Sequence, residues 1–165
     1  MLLFDVSKNS HFIWLLKTWW IPENLGNIKG LEKLDVSGTA ITWLPLSVVH
    51  LKNLKVLSLH GCVGLSYKSF NKLLSFPLMQ WKRSPNPMGM LGCSLQGLWS
   101  LKELDLCYCN IQTIPDGLGS LSSLKKLNLR GNNFVCLPKS IIQLSNLKYL
   151  FWVIALNFKC YPSFH

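Results

Sequence analysis

Residues 101–111 read Leu-Lys-Glu-Leu-Asp-Leu-Cys-Tyr-Cys-Asn-Ile, with apolar groups at Leu101, Leu104, Leu106 and Ile111. The step from Leu104 to Leu106 has the period of two of an extended strand, so both side chains leave the same face. Small Cys109 follows where the chain must turn off that strand and leave backbone groups without ladder partners. A small polar side chain there can bond those groups. Eleven residues cannot bury their own leucines, so the pattern requires stacked neighbours of the same kind.

The neighbours are present. Leu31-x-x-Leu34-x-Val36-x-x-Thr39-x-Ile41, Leu54-x-x-Leu57-x-Leu59-x-x-Cys62 and Leu124-x-x-Leu127-x-Leu129-x-x-Asn132-x-Phe134 repeat it, with leading leucines 23, 47 and 23 residues apart. A second motif keeps the same phase: Ile21-Pro22, Leu44-Pro45, Ile114-Pro115 and Leu137-Pro138 each begin ten residues before a leading leucine. Proline stops strand pairing, and the leucine spacing after it suits a helical or 3-10 turn. L-x-x-L-x-L-x-x-[N/C/T] with this period is the leucine-rich-repeat signature. The expected fold is therefore an α/β leucine-rich-repeat solenoid, a right-handed βα superhelix. Its parallel sheet lines the concave face and short helical or 3-10 turns line the convex face.

The gap of 47 residues holds SFPLMQWKRSPNPMGML, residues 75–91, which looks foreign to its flanks. Stepping back 23 residues from Leu101 overlays the template as Leu78-x-x-Trp81-x-Arg83-x-x-Asn86-x-Met88. Leu91 to Leu98 matches Leu44 to Leu51, with Gly92 in place of Pro45. The stretch thus reads as a degenerate repeat in register, with its strand short or missing because Arg83 takes an inward position. One domain over residues 1–165 is expected: regular repeats over about 21–64 and 91–150, a degenerate repeat over about 65–90, and an irregular tail over 151–165. The chain reads as starting and stopping inside a repeat array.

Composition limits the function classes. Lys and Arg number 17 against 7 Asp and Glu, a formal charge of +10, which attracts acidic surfaces. No apolar run approaches the ~18 residues needed to cross a bilayer, and no secretory leader is read at the N-terminus. Six cysteines include no C-x-x-C, and no asparagine begins an N-x-S/T sequon. These features favour a cytoplasmic location, with the nucleus as the alternative, and disfavour secretion. The histidines lie far apart, so no metal site and no catalytic triad is read. Cys62 and Cys109 fall in the turn column, two repeats apart and about 9–10 Å from one another at ~4.8 Å per strand, too far for a disulfide. Cys107 points outward on its strand and is the one thiol to test for reactivity, with a bland surface role the favoured reading.

LGNIKGLEKLDVSGTAI, LKNLKVLSLHGC, LGSLSSLKKLNLRGNNF and LPKSIIQLSNLKYL resemble the repeats of plant intracellular disease-resistance receptors. The closest class carries a TIR domain and a nucleotide-binding domain before its repeats. The resemblance covers roughly residues 15–150. It implies a protein-recognition role in innate immunity, with autoinhibition of the receptor. The implied partner is a pathogen effector, a guarded host protein or the receptor's own nucleotide-binding domain. No G-x-x-x-x-G-K-[ST] and no TIR-like segment occurs, so no cofactor and no catalysis are carried over.

Binding is expected on the outward positions of the strands. Lys55, Lys102, Lys125 and Lys148 share one column; Glu103, Lys126 and Tyr149 share the next position. Asp105 and Asn128 follow, then His60 and Arg130, with Tyr108 within reach. Two readings stand: a solvated face that keeps the sheet soluble, and a docking surface for an acidic protein partner, in which tyrosine and arginine supply the strong contacts. The rival classes are a basic nucleic-acid-binding solenoid, disfavoured by the absence of an RNA- or DNA-binding signature, and a fragment of an extracellular repeat receptor. No acid, base and nucleophile converge, so an enzyme is not expected.

Overall fold

The computed structural model describes residues 21–66, 87–134 and 136–153. Five three-residue strands form one parallel sheet in chain order: β1 (Lys33–Asp35), β2 (Val56–Ser58), β3 (Glu103–Asp105), β4 (Lys126–Asn128) and β5 (Tyr149–Phe151). The register pairs Leu34, Leu57, Leu104, Leu127 and Leu150 across the sheet, so each strand presents the same template position to its neighbour. The expected leucine-rich-repeat solenoid is what forms.

Burial follows the period. Leu34, Leu57, Leu104 and Leu127 are at most 1% exposed, while the strand residues on either side of them are half-buried or exposed. Leu31, Leu54, Leu101 and Leu124 close the core from the turn side, and Val36, Leu59, Leu106 and Leu129 from the strand's far end. Burying each such leucine stabilises the fold by about 1.5–3 kcal/mol, and every rung draws that gain from its neighbours.

The convex layer is made of 3-10 turns at Glu23–Asn27, Leu46–His50, Asp116–Ser120 and Lys139–Gln143. Each is entered through the proline of the second motif, held extended at φ near −65° before the turn begins, as at Pro45 (φ −63°, ψ 147°). The repeat with Gly92 in place of proline differs. There α1 (Pro87–Leu95) runs as an α-helix through the position where the other repeats break. Proline at its first residue is tolerated, because an N-terminal N–H has no helical partner.

The strand read as short or missing does not enter the sheet between β2 and β3, and the count of rungs changes with it. β2 pairs directly with β3, Val56 opposite Glu103, and Leu59 N–H donates to Asp105 O at 2.8 Å. No rung remains between them for a strand built from the intervening residues. The convex side agrees. Ser94 Oγ donates to Leu44 O at 3.1 Å, and Lys52 Nζ lies 4.4 Å from the Trp99 ring. The half-repeat at Leu91–Leu98 therefore stacks on Leu44–Leu51, and the surplus residues are an insertion relative to the lattice. Leu78, Trp81, Arg83 and Asn86 lie outside the described residues. Pro87 and Met88, expected at a strand's turn, belong to α1. Leu65, one place later than the template asks, still reaches the core by way of the 3-10 turn Val63–Ser66.

Candidate functional site

The outer face of the sheet is organised by two ladders. The first precedes the strands: Lys55 N–H donates to Glu32 O, Lys102 to Lys55, Lys125 to Lys102 and Lys148 to Lys125, all at 2.7–2.8 Å. These bonds hold the four lysines of the basic column on successive rungs. Lys55 is neutralised by Glu32 at 2.6 Å, and Lys126 lies 3.6 Å from Glu103. Both pairs are roughly half-exposed, so each adds little stability. Lys102, Lys125 and Lys148 are exposed and have no ion-pair partner among the described residues.

The second ladder ends the strands. Asp35 Oδ1 accepts from Ser37 N–H, Asp105 Oδ1 from Cys107 N–H at 2.9 Å, and Asn128 Oδ1 from Arg130 N–H. A short acceptor two residues before an orphan N–H satisfies it locally. The same side chains link the rungs, since Asn128 Nδ2 donates to Asp105 Oδ2 at 3.2 Å. Asp105 and Asn128 are thus committed to structure as well as being half-exposed on the face.

Beyond the strands the chain turns through a left-handed residue. That residue is Gly38, Gly61 and Gly131 in three repeats, at φ 66–71°, and Tyr108 in the fourth, at φ 55°. A side chain in this region costs about 1 kcal/mol relative to glycine. Tyr108 nevertheless exposes 59% of its surface, sets its ring edge-on to His60 with centroids 5.7 Å apart, and lies across Gly131, where a Cβ would collide with it. Arg130 stacks over Phe151 at 4.8 Å, and Tyr149 is 59% exposed beside it. The structure therefore brings His60, Asp105, Tyr108, Asn128 and Arg130 together on three adjacent rungs. Lys102, Lys125, Lys148 and Tyr149 line the same face farther back.

Two cysteine expectations change. Cys107 is a free thiol on the concave face but only 5% exposed, and burial first, then the Asp105 carboxylate, pushes its thiol pKa up. It is a poor nucleophile at neutral pH. Cys62 and Cys109 occupy adjacent rungs, not alternate ones, because the insertion adds no rung. Both remain free thiols and serve the turn column: Cys62 Sγ donates to Val36 O at 3.1 Å and Cys109 Sγ to Leu59 O at 2.9 Å. Burial raises the Cys109 pKa to about 12, which keeps it a neutral donor. Thr39 and Asn132 do the same work at the other rungs.

Sequence reading also missed a cluster. His60, Asp105 and Cys107 each offer a donor atom, and the three atoms lie within 4.8 Å of one another. His60 and Cys107 occupy one template column, a signal visible in the repeat alignment once the insertion is removed.

Residues 100–151 match the family model for leucine-rich repeats. Among solved structures, the leucine-rich-repeat domain of the type III effector XopL is 28% identical over 79% of this chain and 37% of its own, with a TM-score of 0.54. The Leptospira interrogans leucine-rich-repeat protein LIC12759 is 30% identical over 79% of this chain and 33% of its own, with a TM-score of 0.48. The Toll–Spatzle complex of Drosophila matches in fold, at 17% identity and a TM-score of 0.59 over 81% of this chain and 15% of its own. The chain thus spans about a third or less of the length of the proteins it resembles. With one template position paired across five parallel strands and 3-10 turns behind them, this chain carries leucine-rich repeats folded as a leucine-rich-repeat solenoid.

Proposed function

We propose that the concave face is a docking surface for an acidic protein partner, in a cytoplasmic immune receptor of the plant TIR–nucleotide-binding class. Leucine-rich-repeat domains are generally non-catalytic protein-binding modules. The observation that carries the reading here is the row of Lys102, Lys125 and Lys148, without acidic partners among the described residues, beside Arg130 and the exposed rings of Tyr108 and Tyr149. A face meant only for solubility gains nothing from exposed rings, whereas aromatic and arginine groups beside unpaired charge supply binding energy and orientation. The plant receptor context rests on the sequence resemblance. It makes an effector, a guarded host protein or the receptor's own nucleotide-binding domain the partner.

The test reverses charge on the stripe. Binders are selected from displayed libraries of plant proteins and pathogen effectors, and their Kd is remeasured against a chain carrying Lys102→Glu, Lys125→Glu and Arg130→Glu. Circular dichroism should be unchanged while affinity falls about a hundredfold or more. Undiminished affinity would exclude the stripe as the docking site.

A further inference from the structure

We propose that His60, Asp105 and Cys107 form a zinc site at the centre of the concave face. The three donors come from two adjacent rungs, His60 after β2 and the other two from β3 and the residue pair beyond it. All three donor atoms already lie within 4.8 Å of one another. A tetrahedral Zn²⁺ with bonds of about 2.0–2.3 Å holds its ligands about 3.3–3.8 Å apart. The closing movement falls to the side chain of His60, which is exposed.

The surroundings hold the ligands in place. Gly61 N–H donates to Cys107 O at 2.8 Å, which joins the two rungs at the ligand column itself. One carboxylate oxygen of Asp105 accepts from Cys107 N–H and the other from Asn128 Nδ2, so its plane is set from both sides. Hydrogen bonds of this kind to ligating carboxylates orient them and strengthen binding. The Tyr108 ring, kept in a left-handed position that glycine fills in the other repeats, stands edge-on to the His60 imidazole and limits where it can point. The nearby cation, Arg130, is drawn over Phe151 on the far side.

One imidazole nitrogen, one thiolate and one carboxylate oxygen suit a borderline ion. Magnesium and calcium, which take oxygen ligands in larger number, do not match this set. On binding, the Cys107 S–H bond is replaced by a Zn–S bond and the proton passes to solvent. Three protein ligands leave a fourth position for water, on the face proposed to meet a partner. The zinc site does not depend on that partner.

Cobalt titration of the full chain tests it, with Cys93, Cys136 and Cys160 replaced by serine so that, besides Cys107, only the buried turn-column thiols Cys62 and Cys109 remain. One equivalent of Co²⁺ should bring up a thiolate-to-cobalt charge-transfer band in the near ultraviolet, and Zn²⁺ should displace it. Cys107→Ser should abolish the band. His60→Ala and Asp105→Asn, which leave the core untouched, should each weaken binding about tenfold or more with unchanged circular dichroism. No band at one equivalent, a band that survives Cys107→Ser, or full affinity in His60→Ala would overturn the proposal.

Discussion

Asn132→Ala should lower the unfolding free energy by about 3 kcal/mol or more, measured by urea denaturation. Asn132 is 4% exposed and serves five backbone groups at once, among them Arg130 O at a longer 3.4 Å, which Tyr108 N–H also bonds. Its Nδ2 donates to Leu106 O at 2.7 Å and Leu129 O at 2.9 Å, and its Oδ1 accepts from Cys109 N–H at 3.1 Å and Ile111 N–H at 3.0 Å. Alanine would orphan two donors and two acceptors where little water reaches them. Each costs about 1–3 kcal/mol when fully buried, and relaxation recovers part of the sum. Asn133→Ala, one residue later and exposed, should change stability by less than about 0.5 kcal/mol. Equal effects at the two positions would mean that the turn column does not hold the rungs together.

Leu104→Ala should cost about 3 kcal/mol, and Leu150→Ala clearly less, although both occupy the same template position. Leu104 is 1% exposed between Leu57 and Leu127, so alanine leaves a cavity that two fixed neighbours cannot fill. Leu150 is 39% exposed and, among the described residues, pairs with a neighbouring strand only at Leu127. The ratio between the two urea-denaturation losses matters more than either value. A repeat stack is stabilised by its interfaces, and a central rung has two. Equal losses would contradict a core shared from rung to rung.

The fold was legible because two motifs kept one phase. The leucines of 31–41, 54–62, 101–111 and 124–134 mark the rungs, and the isoleucine- or leucine-proline pairs mark the entry to each convex turn. The stretch around Arg83 misled for a physical reason. Leu78, Trp81 and Asn86 fit the template, but spacing says nothing of whether the side chains suit their places. The inward arginine marks its strand as short or missing, and β2 meets β3 without one; what fails is the count of two repeats between the flanking strands. That single displacement moved Cys62 and Cys109 onto neighbouring rungs and His60 beside Asp105 and Cys107. A metal-ligand set split by 45 residues of sequence is invisible until the insertion is taken out. The outward columns of the face were readable from period alone. Which of their charges are neutralised was not, since Lys55 and Lys126 find acids and Lys102, Lys125 and Lys148 do not.

The direct contact of β2 with β3 underlies the insertion, the continuous basic column and the zinc cluster alike. Backbone nuclear Overhauser effects in the isotope-labelled chain test it. Val56, Leu57 and Ser58 should each show cross-strand contacts to Glu103, Leu104 and Asp105, with Leu59 N–H near Asp105. Contacts from Val56–Ser58 to residues 78–88 in their place would put a rung between the strands and contradict the account.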